Sequence, residues 1–177
     1  MLYLKIAVVL LVAAFLEGFV PNYWQAFSLV DLPLLVAVYV ALMRDPWLGM
    51  GVGCAAGLVG DNVPGAAPIM GVGGFTKTAI GFFVAFVATK VSLEGPLTRV
   101  LVLALSAFFN GLMMVALYGL FDRAVGQGRS TADMARTVGY ETAANLVFGV
   151  FIFYFLDKVF AEKVAEGQMR VRRRYYE

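Results

Sequence analysis

Five ionisable side chains interrupt otherwise apolar stretches of this sequence: Glu17, Asp31, Asp61, Lys77 and Glu141. Four carboxylates and one amine in such surroundings can pair with one another, hold a helix end, or receive a polar partner. A charge near the centre of a bilayer costs about 2.5 to 3.5 kcal/mol on insertion scales, so these residues face a bundle interior, a partner or water, unless they simply reach the interface. Lys77 is the only basic member of the set, and Asp61 is its nearest candidate counter-ion across the intervening turn. Histidine is absent, which removes the commonest general base and the commonest metal ligand. Cys54 is the only cysteine and sits between Gly53 and Ala55, so no intrachain disulfide can form and a small packing role is expected rather than a reactive thiol. With no paired-carboxylate spacing and no nucleophile motif, we expect no enzyme activity, no catalytic residue, no cofactor and no metal. The glycines before Lys77 and Thr78 resemble a phosphate-binding loop only superficially. Such a loop needs glycine immediately before the lysine, and this chain has Thr76 there.

The elements that must position these residues are membrane spans. Apolar residues make up 61% of the 177 and charged residues 15%, more apolar surface than a water-soluble domain can cover. Six apolar stretches, five of 17 to 23 residues and one of 14, are read as membrane spans: Leu2 to Val20, Phe27 to Met43, Trp47 to Gly60, Phe75 to Val91, Val100 to Phe121, and Val138 to Phe160. Lys5 before the first run gives it the look of a signal peptide, but no small-x-small cleavage site follows, and it is read as a span. The fold class is therefore all-α, a polytopic bundle of six transmembrane helices over residues 1–160, followed by a basic tail over 161–177. The second and third spans are short and carry Pro33 and repeated glycine, so broken, tilted or partly re-entrant helices are expected there.

With both termini in the cytoplasm, ten of the fourteen Lys and Arg fall on the inner side, from Lys5, Arg44, Lys90 and Arg99 to Lys158 and the tail. That distribution sets the orientation, a multi-pass protein with both ends inside. It also brings Glu17, Asp31, Asp61, Lys77 and Glu141 to the outer ends of five different helices, where they become neighbours. Tyr23, Trp24 and Phe27 fit a short segment at the outer interface, where amphipathic rings settle. Arg170, Arg172, Arg173 and Arg174 suit an anionic leaflet or a cytoplasmic partner. The formal net charge of +2 is too small to indicate nucleic acid.

Gly49, Gly53, Gly57 and Gly60 lay a groove of small residues along one face of the third span. Another helix backbone can approach it, either from this chain or from a partner or second copy, which leaves a homodimer open. Gly65 and Gly71 serve the turn that follows Asp61. Ser106 with Asn110, and Glu141 with Asn145, are spaced four apart and can hydrogen-bond between helices as structural glue.

The middle third of the chain resembles the family of the bacterial rod-shape-determining protein MreD: Asp31 followed by Leu34, Leu35 and Tyr39, then Gly49 to Gly60, Asp61, Gly65 and Gly71. That family usually has proline just before the position of Asp31, whereas here Val30 precedes it and Pro33 follows. The resemblance implies a non-enzymatic scaffold of the cell-elongation machinery that binds MreC and through it works with MreB, RodA and a class B penicillin-binding protein. It also implies a fold similar to the S-component, the substrate-binding subunit of energy-coupling-factor vitamin transporters. A transporter subunit is accordingly the rival reading, with Asp31, Asp61 and Lys77 at a small-molecule site. Such subunits usually show alanines four apart in the first span, where this chain has Ala14 and Gly18.

Overall fold

The computed structural model describes residues 2–62, 70–91, 93, 95–125 and 131–160. It contains six α-helices: α1 (Leu2–Phe19), α2 (Leu32–Ala41), α3 (Pro46–Asp61), α4 (Val72–Lys90), α5 (Pro96–Val125) and α6 (Thr131–Val159). Two short 3-10 turns, Val20–Asn22 and Gln25–Leu29, connect α1 to α2. The proposed tail over 161–177 and Gly65 lie outside the described residues.

The all-α class agrees with the sequence reading, but among the described residues four stretches, not six, are long and apolar enough to cross a bilayer: Leu2–Asn22, Val72–Lys90, Pro96–Phe121 and Arg136–Val159. The other two helices fall short. The ten residues of α2 span about 15 Å, roughly half the hydrocarbon core. Pro33 explains the difference from the expected span over Phe27 to Met43. Its ring collides with a helical carbonyl four residues earlier, so an α-helix can start beside it but cannot run through it from Phe27. Proline here opens a helix rather than breaking one.

Glycine does not interrupt the third span either; α3 is continuous over its 16 residues, contrary to the expectation of a broken element. Each glycine costs a helix about 1 kcal/mol relative to alanine. Close packing against α4 offsets this loss. Gly49 lies on the backbone of Gly81, Gly53 on Lys77 and Thr78, and Gly57 on Gly73 and Gly74, so a methyl group at any of the three would strike a carbonyl. The small-residue face thus packs within the chain. Cys54, about 100° round the helix from Gly53, is exposed and fills no gap in the core.

The architecture is an antiparallel bundle built around α2. Every residue of α2 is buried, and it touches all five other helices. A helix apolar on all sides belongs at such a centre. In α1 the exposed residues include Leu4, Val8, Leu11, Phe15 and Phe19, a surface suited to lipid. Trp24 and Phe27 pack edge-on against Phe148 of α6, fastening the α1–α2 connection over the bundle.

Candidate functional site

Polar side chains from several helices meet where α2 begins. Its first turn lies in apolar surroundings, and unsatisfied amide groups there would each cost a large desolvation penalty. The chain answers three of them. The amide of Asp31 donates to Asn145 Oδ1 at 2.8 Å, and the Glu17 carboxyl lies near that of Leu32. Pro33 has no amide hydrogen to place. Leu34 donates to Asp31 Oδ1 at 2.9 Å, and Leu35 to the Asp31 carbonyl at 3.1 Å. Asn145 from the middle of α6 and the carboxylate and carbonyl of Asp31 therefore hold this turn, with Glu17 of α1 beside it.

The remaining carboxylate oxygen of Asp31 pairs with the Lys77 ammonium at 2.8 Å. Lys77 is only 3% exposed, so this is a buried ion pair between the second and fourth helices. It corrects the expected pairing of Lys77 with Asp61. Asp61 instead accepts from the Gly71 amide at 2.7 Å and the Gly74 amide at 3.3 Å, capping α4 from the last position of α3. Gly71 has φ +97°, a left-handed conformation that glycine adopts at little cost, and this turns its amide toward the acid. A side chain at Gly73 would run into the same carboxylate.

Of the sequence candidates, Asp31, Pro33, Lys77 and Glu17 converge directly. Asp61 and Glu141 complete the group at electrostatic range: Asp61 interacts with Lys77, and Glu141 with both Asp31 and Lys77. Gly49, Gly53, Gly57 and Gly60 lie beside this group and serve it, since Gly60 leaves room for the Lys77 ammonium, 3.2 Å from where a methyl would sit. Ser106 and Asn110 are both buried in α5.

A second cluster, absent from the sequence reading, closes the opposite end of α2. Asp157 of α6 accepts from the Tyr39 hydroxyl at 2.8 Å and from Arg99 of α5 at 3.0 Å on each oxygen. The signal was available. Arg99 and Asp157 sit at facing ends of consecutive helices, and the end-of-helix argument applied to the acids near Asp31 finds them as well.

An open apolar groove of about 750 Å³ runs between α1 and α3, lined among others by Leu11, Ala14, Phe15, Gly18, Val59 and Asn62. It lies at the Asp31 end, away from Asp157. Among the described residues no group of three or more His, Cys, Asp or Glu is arranged to hold a metal. The arrangement as a whole can tie helices together, cap buried helix ends and present a shaped face. Comparison with protein-family models, with curated proteins and with solved structures returned no match.

Proposed function

We propose that this chain is a six-span scaffold of the bacterial inner membrane that binds MreC and joins it to the cell-elongation machinery, as the resemblance to the MreD family implies. In this reading α2 and α3 complete the spans as short inner helices, both termini are cytoplasmic, and the Asp31 end faces outward. No bond is made or broken. The observation that carries the reading is the commitment of the polar cluster to the chain itself: Lys77 to Asp31, Asp61 to the start of α4, Asn145 to the start of α2. Groups engaged in this way fix the relative positions of helix ends, which is what a docking platform requires.

Asp61 sets the turn next to Asn62, which borders the open groove between α1 and α3. In cells carrying a tagged chain, MreC and its elongation partners co-purify, and Asp61→Leu lowers MreC recovery without preventing membrane insertion. Recovery of a coupling subunit with two ATPases would establish the transporter reading instead. The groove bears on that rival. Ala14 and Gly18 do line an open surface, but at the level of Glu17, the end opposite to the cytoplasmic face where a coupling subunit would dock.

A further inference from the structure

Because α2 begins only at Leu32, the helices around it continue past its first turn. Four buried side-chain atoms in the described structure have no hydrogen-bond partner: Glu17 Oε2, Asn110 Oδ1, Tyr118 Oη and Thr142 Oγ1. All four are oxygens. Buried polar atoms are nearly always satisfied, and in hydrocarbon an orphan is costlier still, so each such atom calls for a guest.

Helix geometry brings three of them to one level of the bundle, near the start of α2. Leu103 of α5 meets Leu35 of α2 beside Gly149 of α6. Asn110 lies seven residues further along, only about 20° round the helix, so it faces the same way roughly 10 Å on. Asp31 is only about 6 Å beyond Leu35 on the same axis. Asn110, 6% exposed, therefore looks into the space past the start of α2. The contact of Gly111 with Val138 sets α5 against α6, which puts Thr142 near the level of Asn110 and one turn beyond Asn145, itself bonded to Asp31. Glu17 approaches from α1, near the Leu32 amide and within electrostatic range of Asp31 and Lys77 at the same turn.

We infer that the space beyond the N-terminus of α2 is a binding site for a small monovalent cation, an alkali ion or an ammonium group, taken by Glu17 Oε2, Asn110 Oδ1 and Thr142 Oγ1. An all-oxygen set with one carboxylate and neutral partners suits a hard cation of low charge. Charge points the same way. The ammonium of Lys77 is committed to Asp31 and Asp61 is held by the α4 amides, so no described cation lies within ion-pair distance of the Glu17 carboxyl. A cation there lowers the mutual repulsion of the acids. The site stands apart from the scaffold reading, since it can be read without any partner.

The test is thermal unfolding of the purified chain in lipid nanodiscs, titrated with sodium, potassium or ammonium chloride against choline chloride at constant ionic strength. A saturable rise in the midpoint with an alkali salt or with ammonium is expected, choline being too bulky to enter. A response to sodium or potassium assigns an alkali ion, and a response to ammonium alone assigns a protonated amine as the natural guest. Thr142→Val, which conserves shape, and Asn110→Leu each raise the half-saturating concentration about tenfold, the loss typical of a disturbed ion site. Equal midpoints in all four salts overturn the site, as does an undiminished response in Thr142→Val. Should Asn110→Leu not fold, Thr142→Val and direct binding of radioactive sodium by equilibrium dialysis decide.

Discussion

The two ends of α2 hold comparable polar groups in different surroundings. At one end Asp31 meets Lys77, with side chains 18% and 4% exposed; at the other Asp157 meets Arg99, with side chains 38% and 24% exposed. The attraction between unit charges rises steeply as water is withdrawn, but so does the cost of leaving one of them alone. Similar distances, 2.8 and 3.0 Å, therefore conceal unequal consequences. The buried pair is a structural obligation, because neither member can be lost without stranding the other. The half-exposed pair is an adjustable fastening that water and salt can partly replace.

Removing the ammonium gives the largest effect. Lys77→Met leaves Asp31 buried without its cation, and breaking a buried pair from one side costs about 3 to 5 kcal/mol. Unfolding midpoints in nanodiscs measure the loss, and Asp31→Asn added to Lys77→Met recovers part of it, because no lone charge then remains. A loss no greater than that from removing Asp157 would erase the contrast between the two ends.

Asp157→Leu should cost about 2 kcal/mol: up to about 1 for a partly exposed ion pair and about 1 for the hydrogen bond from Tyr39. Salt sharpens the comparison. Raising ionic strength with choline chloride shrinks the Arg99 share of this loss, whereas the loss in Lys77→Met barely moves, since screening hardly reaches a buried pair. Equal salt responses would mean that both ends are alike in exposure.

Much of this arrangement was legible from residue types. Apolar composition and run lengths located all six helices, and the orientation argument gathered Glu17, Asp31, Asp61, Lys77 and Glu141 at one end, where their charges interact. Partner choice was not legible. Asp61 is closer to Lys77 along the chain, but the left-handed Gly71 offers Asp61 two amides, and Asp31 is left for the ammonium. Such competition depends on backbone amides, which spacing between side chains does not reveal. Helix length was misjudged for a related reason. Apolar residues flank Asp31 on both sides, while the backbone at Asp31 turns to φ −95° and ψ 85° so that its carboxylate can cap the helix that follows. Apolar runs report what is buried, and only the capping residues report where a helix starts.

The smallest expected effect separates packing from polarity at the Asp157 end. Tyr39 is 4% exposed, and its ring lies against Phe153 and Phe160, 5.4 and 5.8 Å away between centroids. Tyr39→Phe retains those contacts and removes only the hydroxyl, while Asp157 keeps Arg99. The loss should be about 1 kcal/mol, the net worth of one hydrogen bond. Combining Tyr39→Phe with Asp157→Leu closes a double-mutant cycle whose coupling isolates the hydroxyl–carboxylate bond. Coupling near 1 kcal/mol assigns that bond a share in holding the C-terminal end of α2 to α6. Zero coupling would leave the aromatic contacts to hold that end of α2 by themselves, and the two ends would then differ in kind as well as in exposure.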